Sequence, residues 1–279
     1  MADKLSETIT YGMVDVAYAD RLEQVAPDED GPVWMVNLMK YREVAVYEDG
    51  RESSISGAEA DALYAPFEIF RELGAALVLF AEVEATLLGD GQDWDAVAVV
   101  HYPSRRAFLE MQERPDYLER HAHKAAGMER TIIMCCTPMD LPFAAPDFPR
   151  APFDAAPNPS TPEAPPILVC HVVQLADGGA GAADFNAYSA KAAKVGLAQG
   201  VRIDGWFAVE GTPVGDGRQW DQVRFNAFPS RAAFSAVVND PERLEAHVAH
   251  REVAMSDTYT MLLRPLIDRL GASVGADWF

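Results

Sequence analysis

One stretch of this sequence occurs twice, and the repetition constrains the fold more than any other feature. Residues 89–95 read GDGQDWD and residues 102–108 read YPSRRAF. At a distance of 126 positions, residues 215–221 read GDGRQWD and residues 228–234 read FPSRAAF. Both blocks are shifted by the same distance, so no insertion or deletion separates them. The repeat predicts two copies of one structural unit in tandem.

Hydrophobic periodicity and turn residues predict the same order of elements in each copy. In the first copy we expect strands over 33–39, 76–88, 94–102 and 131–136, and helices over 58–73, after Ser104 and after Pro115. In the second copy we expect strands over 167–174, 202–213, 220–228 and 258–263, and helices over 183–197 and after Ser230. The Gly-Asp-Gly turns close hairpins, and Ser104 and Ser230 are N-caps. The order β-α-β-β-α-β is ferredoxin-like.

A single sheet of this kind carries its helices on one face and leaves the other face bare. A second sheet covers that face, and a tandem chain supplies both sheets at high effective concentration. The predicted fold class is therefore α+β, with two tandem ferredoxin-like β-α-β-β-α-β repeats packed sheet to sheet as a pseudo-twofold α/β barrel. Pairing that is swapped between two chains, as in a homodimer, is the alternative.

Composition shifts divide the chain into five segments. Ten of the 29 residues from 138 to 166 are proline, which is typical of a semi-rigid, extended linker. The predicted division is a lead-in over 1–31, repeat 1 over 32–137, the Pro-rich linker over 138–165, repeat 2 over 166–265 and a C-terminal tail over 266–279.

Charge and cysteine content exclude several classes of function. The net charge of −20 argues against a nucleic-acid partner, because phosphate binding needs clustered Lys and Arg. No apolar run is long enough to span a membrane, and the first residues lack the apolar core of a signal peptide. The three cysteines have no metal-ligand spacing, so we expect reduced, buried thiols in a cytoplasmic protein.

Several short motifs resemble a known family. They are NLMKY at 37–41, YPS at 102–104 with Phe108, PDY at 115–117 and HK at 123–124, and, in the second copy, FPS at 228–230, Phe234, DP at 240–241 and HR at 250–251. This set is similar to the domain-of-unknown-function 1330 family of the dimeric α/β-barrel superfamily. The second copy departs from it at His171, in the place of Asn37, and at Arg243, in the place of Tyr117. The resemblance implies a superfamily that includes cofactor-free monooxygenases, lactone isomerases and haem enzymes.

Strand alternation suggests which side chains line the barrel. In the strand over 220–228, Val223, Phe225 and Ala227 suit the helix-packed face, which leaves Arg224 and Asn226 facing the other sheet. The neighbouring strand presents Trp206 and Glu210 on one face. Counting from the Gly-Asp-Gly turn places Glu210 opposite Arg224 as a cross-strand ion pair. A structural pair at the barrel rim is the alternative interpretation.

Histidines supply the remaining candidates. His171 stands where the first copy has Asn37, and a His in an apolar strand is either a general base or a hydrogen-bonded core residue. His247 and His250 share a helix face after a one-residue insertion relative to His121 and His123. The sequence has no His-Glu-x-x-His motif, so we predict neither a metal nor a cofactor.

The predicted function is binding of a small apolar or aromatic carbonyl or carboxylate compound inside the barrel. The candidate catalytic residues are His171 and Glu210, and the candidate ligand-binding residues are Arg224, Asn226, Asn37, Trp206 and Tyr188. The reaction class would be cofactor-free oxygenation or isomerisation. The alternative is a non-catalytic binding or assembly module in which these polar residues are structural. The positions at which the copies differ, such as Ala98 against Arg224, are the most informative.

Overall fold

The computed structural model describes residues 9–143 and 151–275, and these residues form nine strands and ten α-helical segments. The strands are β1 (Met13–Val14), β2 (Val33–Tyr41), β3 (Ala76–Leu88), β4 (Ala96–Tyr102), β5 (Met128–Pro138), β6 (Ile167–Leu175), β7 (Arg202–Gly215), β8 (Gln222–Phe228) and β9 (Met255–Asp268). The helices are α1 (Val16–Gln24), α2 (Gly57–Tyr64), α3 (Phe67–Glu72), α4 (Arg105–Glu113), α5 (Pro115–Gly127), α6 (Ala182–Ala198), α7 (Arg231–Val238), α8 (Pro241–Ala246), α9 (Glu252–Ala254) and α10 (Leu270–Ser273). A π-helical turn, His247–Arg251, joins α8 to α9.

Eight of these strands close into an antiparallel barrel. Their order is β7-β5-β2-β4-β3-β9-β6-β8, and β8 pairs back with β7. The sheet of β2 to β5 and the sheet of β6 to β9 are therefore joined edge to edge, through β5–β7 and β3–β9. The prediction of an α+β fold with a barrel is confirmed at this level. The two sheets form one continuous wall rather than two stacked layers.

The barrel interior is an apolar core to which all eight strands contribute. Alternate residues such as Trp34, Leu38, Phe207 and Met261 point inward and are almost fully buried. An eight-stranded barrel is just wide enough for side chains to fill. The interior is thus occupied by protein, and a ligand site has to lie elsewhere.

The predicted orientation of β8 is wrong. Val223, Phe225 and Ala227 belong to the core inside the barrel. Arg224 and Asn226 point to the outer face, beneath the helices that cover this half. The physical reason is the narrow interior, which takes the apolar set of side chains from every strand and leaves the polar set outside.

The repeated motif makes equivalent contacts in both halves. The Asp95 carboxylate accepts a hydrogen bond from the backbone N–H of Tyr41 at 2.8 Å, and Asp221 accepts one from Leu175 at 2.7 Å. The preceding residues, Trp94 and Trp220, are both buried in the core inside the barrel. Ser104 and Ser230 cap α4 and α7 through their side chains, as predicted. The repeated motif therefore has a structural role.

Three segments differ in detail from their description by sequence. The helix expected over 58–73 is two helices, because Pro66 cannot continue a helix that began before it. Part of the Pro-rich segment packs on the second half: the backbone N–H of Ala151 donates to Leu197, and Asn158 contacts Gln199. The tail beyond 265 continues β9 and then forms α10, and residues 276–279 lie outside the described residues.

Candidate functional site

Within residues 9–143 and 151–275, each half has a cavity of more than 400 Å³ outside the barrel wall, between the strands and the covering helices. The C-terminal cavity has a volume of about 410 Å³ and lies between β6–β9 and helices α6 to α8. The N-terminal cavity has a volume of about 420 Å³ and lies between β2–β5 and helices α2 to α5. Both volumes fall in the range of small-molecule sites, roughly 300–1,000 Å³.

Four adjacent strands supply the floor of the C-terminal cavity. Arg224 on β8 pairs with His171 on β6 and with Trp206 on β7, and His171 pairs in turn with Thr260 on β9. Directly opposed residues on antiparallel strands place their side chains on the same face. These four side chains therefore form one continuous patch on the outer face, and Asn226 extends it along β8.

Helices and the π-helical turn supply the roof. Tyr188 and Ser189 come from α6, Arg243 comes from α8, and His247 and Arg251 come from the π-helical turn. The turn lies at the one-residue insertion that distinguishes the two halves, and a π-bulge is the ordinary way for a helix to accommodate an extra residue. It brings both His247 and Arg251 to the cavity.

Arg224 is the central group of this cavity. Only 4% of it is exposed, and its guanidinium lies between two aromatic rings, 3.9 Å from the centroid of Phe185 and 3.7 Å from that of Trp206. It donates to Gln222 Oε1 from Nε at 3.2 Å and from Nη2 at 2.5 Å, and to Ser189 Oγ from Nη1 at 2.7 Å. These bonds use three of its five N–H donors, so two remain.

His171 is held as a neutral imidazole. Its Nε2 lies 3.2 Å from Nη2 of Arg251. Since a guanidinium can only donate, Nε2 accepts, and the ring proton is on Nδ1. Burial, together with the charges of Arg251, Arg224 and Arg243, holds the pKa of His171 well below its ordinary value. In the free protein His171 is thus a weak base.

The cavity is strongly cationic within a protein of net charge −20. It contains Arg224, Arg243 and Arg251, and none of the described residues that line it is Asp or Glu. Neither Arg224 nor Arg251 forms an ion pair with a carboxylate anywhere in 9–143 or 151–275. A buried charge without a partner is costly, so such charges are normally compensated.

Three buried polar atoms around the same cavity also lack a protein partner. They are Nε1 of Trp206, Nδ1 of His247 and Oγ1 of Thr260. Buried polar groups are hydrogen-bonded in the great majority of cases. Their clustering with unpaired arginines marks the cavity as a place for a polar, anionic group.

Of the seven residues predicted from sequence, the structure brings five together. His171, Arg224, Asn226, Trp206 and Tyr188 all line the C-terminal cavity. Their location differs from the prediction, since the cavity lies outside the barrel. Sequence reasoning did not assign three further lining residues, Arg243, His247 and Arg251, to this site. Two signals mark them: the Tyr-to-Arg difference at 243 and the insertion at 247–250.

The predicted pair between Glu210 and Arg224 is wrong. Arg224 lies opposite Trp206, because β7 leaves β8 beyond Val209 and continues along β5 and β1. Glu210 instead contacts Arg105 of the first half and accepts a hydrogen bond from Tyr18 at 3.0 Å. Partial burial would raise the pKa of Glu210, but Arg105 outweighs it and the pKa is lowered. Glu210 is a structural ion-pair partner outside the cavity.

Asn37 lies in the other half, on the floor of the N-terminal cavity. It pairs with Ala98, as His171 pairs with Arg224, and its Nδ2 donates to the carbonyl of Met35 at 3.0 Å. Among the described residues, this cavity has aromatic walls and one buried lysine, Lys124. The two cavities therefore offer different chemistry.

Metal and membrane chemistry have little structural support within the described ranges. No group of three or more His, Cys, Asp or Glu side chains in 9–143 and 151–275 is placed to hold a metal ion. Over the same residues, no helix combines the length and the apolar character needed to cross a bilayer.

Comparison with known proteins gives a family but no activity. No protein-family model matches the chain, and no curated protein matches it significantly. Two crystal structures of a protein of unknown function from Rhodopseudomonas palustris are 31% and 30% identical to it. The matches cover 48% and 47% of this chain and 97% and 98% of that protein, with TM-scores of 0.41 and 0.40. By sequence identity, the chain belongs to the family of that protein.

Two other solved structures are similar over most of the chain. A candidate monooxygenase from Lactobacillus acidophilus NCFM is 9% identical over 86% of this chain and 97% of that one, with a TM-score of 0.44. Chlorite dismutase from Candidatus Nitrospira defluvii, in complex with imidazole, is 12% identical over 92% of this chain and 100% of that one, with a TM-score of 0.47. Likenesses at these identities and TM-scores carry no conclusion about the chemistry of this chain.

Proposed function

We propose that the C-terminal cavity binds a small compound with an apolar or aromatic body and a carboxylate group. The observation that carries this proposal is Arg224, a buried arginine with two free N–H donors and no carboxylate partner. A carboxylate accepts two parallel hydrogen bonds from a guanidinium, which matches the two donors that remain. Arg251 supplies a second positive charge on the same cavity.

The rest of the cavity suits an apolar body. Its walls are formed largely by aliphatic side chains, including Val169, Leu197, Val201, Val237 and Leu244. A dry apolar cavity of about 150 Å³ accommodates benzene. The C-terminal cavity, at about 410 Å³, therefore has room for a compound of one or two rings together with its carboxylate.

His171 gives the site a route to proton transfer. The arginines lower its pKa, and a bound carboxylate offsets their charge, so ligand binding raises the pKa of His171 toward its ordinary value. A carboxylate that draws Arg251 to itself also frees Nε2 to accept a proton. The base is thus strengthened by substrate, as cofactor-free isomerisation or oxygenation through a carbanion requires.

The two halves are, in this proposal, diverged copies of one ferredoxin-like unit. Supporting observations are the repeated sequence block and the matched contacts of Asp95 and Asp221. A single chain closes its own barrel, so association into a homodimer would leave the wall intact and give four cavities per particle. Light scattering on the purified chain measures whether that dimer forms.

A thermal-shift screen of the full chain with matched pairs of carboxylates and neutral amides, such as benzoate and benzamide, tests the proposal. We expect carboxylates to raise the melting temperature and their amides to leave it unchanged. The Arg224→Met variant should lose the response. Arg231→Met, which removes a largely exposed arginine paired with Glu84, is the matched control and should keep it. Equal responses to acid and amide, or an unchanged response in Arg224→Met, would favour the non-catalytic assembly module.

A further inference from the structure

The N-terminal cavity contains a nucleophile that the proposed function does not use. Its lining is rich in aromatic rings, among them Tyr64, Phe70, Phe80 and Phe108. Lys124, in the last turn of α5, is the only Lys or Arg among the described residues that line it. An amine in an aromatic enclosure differs chemically from the arginines of the other half.

Lys124 is 7% exposed and lacks the partners that a buried ammonium normally has. Its Nζ lies 5.0 Å from the centroid of the Tyr64 ring, and the side chain forms neither a hydrogen bond nor a close ion pair with any residue of 9–143 or 151–275. The contrast with Lys40 is direct, since that ammonium contacts Asp93 at 2.7 Å and Asp95 at 2.9 Å. The groups that stabilise a charge on Lys124 are the Tyr64 ring and, without direct contact, the Asp61 carboxylate.

Burial, rather than any neighbouring charge, favours the neutral form of Lys124. Burial lowers the pKa of Lys124, and the more distant carboxylate of Asp61 opposes this only in part. Burial also raises the pKa of Asp61, which accepts a hydrogen bond from the Tyr41 hydroxyl at 3.0 Å. His121, bonded to Tyr11 at 2.8 Å, has its pKa lowered to about 4 by burial and by Lys124, so it is neutral near pH 7.

We infer that the N-terminal cavity is a second reactive site, in which the Lys124 amine forms an imine with an aromatic or apolar aldehyde or ketone. A desolvated lysine in an apolar pocket is one of the standard ways to activate an amine for carbonyl chemistry. The aromatic walls bind the body of the carbonyl compound. Asp61 and Tyr41, linked by a hydrogen bond, lie on the cavity wall as a candidate acid–base pair.

The reaction is balanced without an added reagent. The Nζ lone pair forms a bond to the carbonyl carbon, and the carbonyl π electrons move to oxygen, which takes up a proton. Nitrogen gives up a proton to form the neutral carbinolamine. Loss of the hydroxyl as water, with the second N–H proton, leaves the C=N bond. One carbonyl compound and one amine yield one imine and one water, and no atom is oxidised or reduced.

A sequence difference between the halves accounts for anion binding in one cavity and carbonyl chemistry in the other. Arg251 occupies the position in the second half that Lys124 occupies in the first. A guanidinium stays protonated and binds anions, whereas an amine with a lowered pKa is a nucleophile. One exchange of side chains thus separates an anion site from a carbonyl site.

Reductive trapping tests this inference. The full chain is incubated at pH 7 with benzaldehyde and sodium cyanoborohydride, and the N-benzyl adducts are located by peptide mapping. The chain has only five lysines, so assignment is unambiguous. We expect Lys124 to be labelled about tenfold faster, or more, than Lys40. Lys124→Met should lose that adduct, and Lys40→Met should keep it.

The peptide map of the wild-type chain tests for the Lys124 imine even if a variant folds poorly. Labelling confined to other amines, with Lys124 unmodified in the folded chain, overturns the inference. Labelling of Lys124 no faster than that of Lys40 does so as well, because it shows an ordinary amine. The Arg224→Met variant keeps the adduct in our account, so failure of the carboxylate site and failure of the imine site are separable.

Discussion

Replacing Arg224 by Met should weaken ligand binding without destabilising the protein. Met removes an unpaired buried charge and can keep contact with the rings of Phe185 and Trp206. Exchange of buried ionic groups for apolar ones is often neutral or stabilising by about 1–4 kcal/mol. Against this, Gln222 Oε1 loses its donors, at a cost of about 1–3 kcal/mol, whereas Ser189 keeps its bond to the Phe185 carbonyl. We expect the two effects to cancel to within about 1 kcal/mol.

The same change should cost much of the affinity for a carboxylate. A hydrogen bond to a charged group contributes about 1.5–3 kcal/mol, which corresponds to roughly a 10- to 150-fold increase in Kd. Urea denaturation gives the free energy of unfolding, and isothermal titration with a carboxylate ligand from the thermal-shift screen gives the Kd. We expect Arg224→Met to raise the Kd while the free energy of unfolding stays nearly unchanged.

Arg218 provides the control for a structural arginine. It joins the two hairpin loops by contacting Asp90 and Asp216, and it also contacts Asp257 at 2.6 Å. Arg218→Met leaves these carboxylates unpaired and should lower the free energy of unfolding by about 1–3 kcal/mol, with the Kd unchanged. The reasoning is refuted if Arg224→Met loses 3 kcal/mol or more, as expected on breaking a buried structural pair, and binds the ligand normally.

Three further predictions concern the rest of the molecule. Burial lowers the pKa of His121 to about 4, whereas in the unfolded chain it is about 6.5. As the pH falls between these values the unfolded chain is protonated first, so up to about 3 kcal/mol of the free energy of unfolding is lost. In urea titrations over this pH range, His121→Gln should lose less stability than the wild type, by that amount. Gly57→Ala places a methyl group against the backbone of Gly127 and should cost about 1–3 kcal/mol, whereas Gly31→Ala meets open space and should be neutral by thermal melting. The three cysteines are buried, and burial raises the pKa of the Cys135 thiol to about 12, so Ellman's reagent should react with none at pH 8 in the native chain and with all after denaturation.

Hydrophobic periodicity, with the turn and cap residues of the repeated block, predicted the order β-α-β-β-α-β in each half, but not the break of the first helix at Pro66. Ser104 and Ser230 cap helices, as expected, and Trp94 and Trp220 are core residues. The sequence of β8 does not show which of its two faces points into the barrel. Alternation separates two sets of side chains, and both faces of this strand are covered, one by the barrel core and the other by helices.

The pairing register of β7 and β8 is the second feature that the sequence did not predict. Counting from the turn assumes that β7 and β8 stay paired up to it, but the last residues of β7 pair with β5 and β1 instead. That departure is a long-range property of the closed barrel, and it separates Glu210 from Arg224. By contrast, differences between the copies led to the site: His171, Arg224 and Asn226 all differ from their counterparts, and all line one cavity.

A crystal structure of the chain with a carboxylate ligand from the thermal-shift screen shows whether Arg224 binds the carboxylate. We predict density for the ligand between α6 and the outer face of β8, with its carboxylate oxygens about 3 Å from the free N–H donors of Arg224. Ligand bound elsewhere on the chain, with the Arg224 guanidinium untouched, would contradict the account.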